Sequence, residues 1–298
     1  MTLLLPGEWV SIHRAMTRRP CEERALVLGA MQIEHVVTEQ PDGCHLLVPA
    51  ASAAAARREL ALYLAENPAA AVTPWPAVPA QRGFALGLAF PVLVLLAFQL
   101  QSRYAFGLDW TGLGAAVAGS IREGEWWRAA TALMLHADAA HAAGNAVFGA
   151  FFGYLAGQYV GSGVAAFGVV LAAAAGNVCN AWLQGPGHSS IGASTAVFAA
   201  LGLVGASVFA LSRRHALGWA RRWAPVVGAV ALLTYTGTGD ENTDIVAHLT
   251  GFIAGGLAGF AIAALPASPA PSWRWQATAG AAAAVLLVAA WYPPLAGG

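Results

Sequence analysis

From residue 84 onward the chain is a succession of apolar stretches, near 84–100, 133–156, 163–183, 194–211, 223–237, 246–264 and 276–292. Each approaches the roughly 20 residues an α-helix needs to cross a hydrocarbon core. The pattern predicts an all-α polytopic membrane protein. Residues 1–70 read differently. Glu22–Met31 has the pattern of a helix, and Gln32–Thr38 is apolar and β-branched like a strand. Pro41-Asp42-Gly43 is a turn signal, Cys44–Val48 a second strand, and Ser52–Asn67 a helix with Ser52 as its cap. The expected organisation is a small α+β soluble domain (1–70), a Pro/Ala-rich linker (71–82), a membrane core (83–265) and an additional C-terminal span (266–298).

Composition agrees with that reading. The chain is 58% hydrophobic and only 10% charged, where a soluble domain carries about 25% charged residues. Its formal net charge of zero offers nothing to nucleic acid. Met1–Arg19 has no long apolar h-region, so no cleaved signal peptide is expected. Cys21, Cys44 and Cys179 form no CxxC pair and predict neither a metal site nor a disulfide framework. His35 and His45 fall on the expected hairpin, where they are placed to meet, but no further ligand accompanies them.

Charge placement predicts orientation. Arg213, Arg214, His215, Arg221 and Arg222 crowd the connection after the fourth span, which should be cytoplasmic. Asp240, Glu241 and Asp244 precede the sixth, which should face outside. The N-terminus is then cytoplasmic and the C-terminus outside. The connection 101–132 resists the rule, with Arg103, Arg122 and Arg128 on the outer side. Its Trp110, Trp126 and Trp127 suggest a structured loop at the membrane interface.

Under this topology three distant segments bring polar residues to a similar depth. Ser194 stands at the start of the fourth span, after the polar loop Gly185–Ser190. His248 stands near the start of the sixth, and His141 and Asn145 share one helix face in the second. Ionisable and polar groups in lipid are costly and are functional by default. A serine hydroxyl needs an adjacent base to act as a nucleophile. His248 is the candidate, because Gly251 and Gly255 on its face allow close approach to another helix. His141 and Asn145, with the Ser194 N–H, suit an oxyanion hole. His136 is five residues from His141, about 140° around a helix, and should point elsewhere. A metal site from His136, Asp138 and His141 has the wrong spacing, so neither metal nor cofactor is expected. Asp244 should cap the sixth span, leaving a Ser194–His248 dyad.

Trp127-Arg128, His141-x-x-x-Asn145, Gly192-x-Ser194 and Ala247-His248-x-x-Gly251-x-x-x-Gly255 occur in one order over spans one to six. In these motifs the chain resembles the rhomboid family of intramembrane serine proteases. The resemblance implies a rhomboid-like six-helix bundle plus a C-terminal seventh helix, in the bacterial inner (cytoplasmic) membrane. It implies Ser194 as nucleophile, His248 as general base, and His141, Asn145 and the Ser194 amide as oxyanion donors. Gly192, Gly251 and Gly255 would pack the site, and Phe198 takes the place of the family's aromatic residue against the catalytic histidine. The implied partners are transmembrane protein substrates in a lipid bilayer. A catalytically silent rhomboid-like protein that binds membrane helices is the alternative. A transporter is disfavoured, since spans one and three to seven hold no Asp or Glu. Two positions depart from the family: Thr195 replaces the usual glycine after the serine, and Gln158-Tyr159 stands where an acid is common.

Overall fold

The computed structural model describes residues 8–67, 83–214, 219–237, 243–265 and 272–296. The 71–82 linker, His215, Asp240 and Glu241 lie outside the described residues, as do the side chains of Arg214, Arg221 and Arg222. The chain divides into two compact units, Met1–Pro74 and Trp75–Gly298.

The first unit runs β1 (Trp9–Ala15), α1 (Arg19–Ala30), β2 (Val36–Gln40), β3 (Gly43–Pro49) and α2 (Ala53–Glu66). Strand β3 alternates in the expected way, turning Cys44, Leu46 and Val48 inward. Cys21, Ala25 and Leu28 of α1 and Ala53, Ala56 and Leu60 of α2 complete that core. The sheet has three strands in the order β1-β3-β2, both pairs antiparallel, where the sequence pattern suggested two. The extra strand is Trp9–Ala15, whose register shifts between Ser11 and His13 and so breaks its own alternation. His35 and His45 do not meet. His35 precedes β2 and its Nδ1 lies 2.8 Å from the Ile33 carbonyl. His45 pairs with Thr38 across the sheet and bonds Ser11 and Asp42. Ser52 makes no capping bond. Burial, reinforced by Cys44, pushes the Cys21 thiol up to about 11, so it stays protonated at neutral pH.

In the second unit α3 (Phe84–Ser102) leads into three short helices, α4 (Trp110–Gly114), α5 (Ala118–Arg122) and α6 (Arg128–Thr131). Then come α7 (Ala139–Val160), α8 (Ser162–Leu183), α9 (Ser194–Arg214), α10 (Trp219–Gly237), α11 (Ile245–Ala264), α12 (Trp273–Ala289) and α13 (Tyr292–Ala296). Among the described residues, five segments are long and apolar enough to cross a membrane: α3, α8, α9, α11 and the stretch from α12 through α13. Helices α7 and α10 stand where the second and fifth spans were expected. Polar His141, Asn145 and Gln158 dilute the first, and Arg221 and Arg222 dilute the second.

Helix α9 is the centre of the bundle: 72% of its apolar window is buried, against 6% for α3. The outward sides of α3 and α11 expose Leu88, Val92, Leu96, Ile253 and Leu257, as surfaces meeting lipid do. Helices α9 and α11 touch backbone to backbone. A Cβ on Gly251 would lie 2.6 Å from the Thr195 carbonyl oxygen, one on Gly255 2.0 Å from that of Ala199, and one on Gly259 2.7 Å from that of Leu203. These contacts ascend together one turn at a time, so the two helices run parallel and in fixed register.

Helix α12 is tied down at both ends. Gln276 Oε1 accepts from the Gly163 and Val164 N–H groups, at 2.8 and 3.1 Å, in the first turn of α8. Its Nε2 donates to the Val160 carbonyl at 3.2 Å. At the far end Trp291 meets Trp110 edge-on at 4.9 Å and donates to Met134 Sδ at 3.3 Å.

Candidate active site

Ser194 is the first residue of α9, so its N–H has no acceptor within the helix. The chain reaches it through Gly192, at φ +139°, a conformation open to glycine. A Cβ on Gly192 would lie 2.9 Å from both Cε1 and Nε2 of His141, and 3.4 Å from Ser194 Oγ. The His141 ring and the Ser194 hydroxyl therefore border the same small space, kept open by a missing side chain.

His248 enters from α11. Its ring lies against Phe198, centroids 4.4 Å apart and tilted by 36°. Phe198 is one turn along α9 from Ser194. Carried one turn back from Gly251 on Thr195, the seam's register sets His248 level with the start of α9. His248 is 7% exposed.

Helix α7 supplies His141 and Asn145. Asp138 caps it, accepting from the His141 N–H at 2.8 Å. One turn deeper, Asn145 is buried, and its Nδ2 has no hydrogen-bond partner among the described residues. A buried, unsatisfied donor costs about 1–3 kcal/mol, so its retention calls for an explanation.

Residues 123–265 match the family model of the Rhomboid domain. That stretch is a Rhomboid domain. The chain is 31% identical over 143 residues to Rhomboid-like protease 3 of Toxoplasma gondii, an alignment covering 48% of this chain and 54% of that protein. The chain thus spans about half the length of the curated relative it matches. With its apolar helices, it is a multi-pass membrane protein.

Several features of this site were not legible beforehand. His136 does not point away from His141: the rings meet edge-on at 5.2 Å, and His136 Nε2 accepts from the Ala193 N–H at 3.4 Å. The helical-wheel argument fails because α7 begins at Ala139, leaving His136 in the preceding loop. Asp138, an N-cap residue two positions on, was the available signal. Among the described residues, no group of three or more His, Cys, Asp or Glu side chains is placed to hold a metal. Thr195 is accommodated inside the helix seam. It is 3% exposed, and its methyl group faces Gly251, where a Cβ would come within 2.8 Å.

Two of the three arginines that defied the orientation rule, Arg122 and Arg128, are committed to main chain. Arg122 Nε donates to the Ala181 carbonyl at 2.8 Å, and its Nη2 also reaches Gln184, at the C-terminal end of α8. Arg128 pairs with Glu125 and donates to the Gly112 and Ala115 carbonyls at 3.1 and 3.0 Å.

Asp244 caps α11, its Oδ1 accepting from the Ala247 N–H at 3.0 Å. Oδ2 accepts from Asn180 Nδ2 at 2.6 Å and lies 2.7 Å from His188 Nε2. Burial pushes this carboxyl upward. The bonds from Ala247, His188 and Asn180 outweigh that and hold it below the ordinary carboxylate value.

Proposed function

We propose that this chain is an intramembrane serine protease that hydrolyses peptide bonds in or near the transmembrane segments of other membrane proteins. The observation that carries the reading is the parallel, backbone-to-backbone seam of α9 and α11. It brings the first turn of α11 to the start of α9, with the His248 ring against Phe198. Ser194 Oγ attacks the substrate carbonyl while His248 takes its proton. The carbonyl oxygen, now negative, takes hydrogen bonds from the Ser194 N–H, Asn145 Nδ2 and the His141 ring. That role accounts for the unsatisfied Asn145 amide. His248 then returns the proton to the leaving amine, and water activated by the same imidazole releases the acyl group. No metal or cofactor enters these steps.

The membrane domain is taken as 83–265, with 266–298 adding the seventh helix and 1–70 a cytosolic domain joined by the 71–82 linker. The basic connection after α9 supports a cytoplasmic N-terminus, an external C-terminus and a site opening outward in a bacterial inner membrane. The test is a fluorophosphonate probe on purified wild type, Ser194→Ala and His248→Ala. We expect labelling of the wild type alone, with cleavage of a single-span reporter lost in both variants. Labelling that survives Ser194→Ala refutes the assignment.

A further inference from the structure

The loop that ends in Ser194 is fastened chiefly to one side. The Ala118 N–H donates to the His188 carbonyl and the Gly119 N–H to that of Pro186, both at 2.9 Å. The Gly192 N–H donates to the Ala132 carbonyl at 3.0 Å, and the Ala193 N–H to His136. All of these partners lie in the 116–136 segment. The general base comes from another element, α11. The side chain of His188, six residues before the nucleophile, bridges the two by bonding Asp244. Asp244 is the cap of α11, and its carbonyl accepts from the His248 N–H at 3.1 Å. Asn180 of α8 holds the same carboxylate oxygen. One carboxylate therefore joins the nucleophile's loop, the base's helix and α8. Its side chain is only 12% exposed, so water competes weakly for it.

We propose that His188 and Asp244 are positioning residues: their bond sets where the Ser194 loop sits against the first turn of the His248 helix. The proposal rests on the protease reading above. The α9–α11 seam fixes the helices, but Ser194 is only the first residue of α9, and its hydroxyl follows the loop. Reacting groups misplaced by about 1 Å can cost about 100-fold in rate. Neither side chain need touch the substrate for this to act.

The test uses the full-length protein in detergent with a single-span reporter substrate. His188→Ala is expected to lower kcat about 10- to 100-fold with KM nearly unchanged, because alignment and not substrate binding is lost. His188→Gln, which restores an N–H donor toward Asp244, recovers most of that loss. Asp244→Asn keeps an oxygen for the Ala247 N–H but turns an amide toward Asn180 and His188, and behaves like His188→Ala. A protein that melts earlier yet turns over normally per folded molecule shows a structural role only and overturns the proposal. So does His188→Gln performing no better than His188→Ala. Hydrogen exchange separates this proposal from the protease reading. If wild type neither labels nor cleaves, that reading fails alone. Faster exchange of the 189–193 amides in His188→Ala then upholds the bridge, and unchanged exchange refutes it.

Discussion

Adding one methyl group at Gly255 tests whether backbone contact between α9 and α11 builds the site. The new Cβ of Gly255→Ala would lie 2.0 Å from the Ala199 carbonyl oxygen and 2.6 Å from its carbonyl carbon and Cα. Every one of those atoms is main chain, so no rotamer change relieves the clash. The helices must part by about 1 Å or more, and a gap of that size forfeits roughly a quarter to a half of the dispersion energy of each contact. Overpacking costs about 1–3 kcal/mol, and this case belongs at the upper end. The neighbouring glycine supplies the control. A Cβ on Gly256 would meet only the Gly202 oxygen, at an easy 3.9 Å. Gly256→Ala should be neutral, or stabilising by up to about 1 kcal/mol from helix propensity. The assay is thermal unfolding in micelles alongside the rate of fluorophosphonate labelling. We expect Gly255→Ala to melt earlier and, while still folded, to label about 100-fold more slowly, because His248 moves with the displaced helix. Equal behaviour of the two alanine variants would show that the seam does not position the site.

Asn145→Ala should lower kcat by about 10²–10³, or roughly 3–4 kcal/mol, with KM held, since the amide acts on charge present only in the transition state. Early melting with normal turnover would make it a packing residue. Asp244 predicts an acid limb in stability. Its folded-state pKa is depressed, so its contribution is present above the unfolded value of about 3.9 and is lost as pH falls through the folded one. Melting curves at descending pH should show this limb flattened in Asp244→Asn, and an unaltered limb would contradict the linkage. A reporter active only outside the membrane should give signal when fused at Gly298 and none when fused within residues 212–222, and the reverse pattern would invert the proposed topology.

Sequence could reveal what depends on local spacing. The Gly251 and Gly255 stripe announced a helix face that tolerates close approach, and Ser194 after a polar loop announced a helix start. Strand Trp9–Ala15 escaped because its bulge disrupts the period that identifies strands. His136 was misplaced because a wheel argument extends a helix past its true cap. His188 gave no local signal at all: its acid lies 56 residues away, and only the folded bundle chooses Asp244 among the available carboxylates. Thr195 looked like a defect in a glycine position until the facing Gly251 supplied the room.

The Gln276 clasp has a consequence for biogenesis. A membrane protein inserts from its N-terminus, so α8 is made roughly a hundred residues before the side chain that completes its first turn. Until α12 arrives, the Gly163 and Val164 N–H groups must find acceptors in water or headgroups, and away from water an unsatisfied backbone group costs several kcal/mol. The Gly163 backbone is then covered by that of Gln276, since a Cβ there would come within 1.7 Å of the Gln276 carbonyl oxygen. Packing of this end of α8 therefore waits for α12. A nascent chain halted before α12 should hold both Ser194 and His248 and still lack the cover on the first turn of α8.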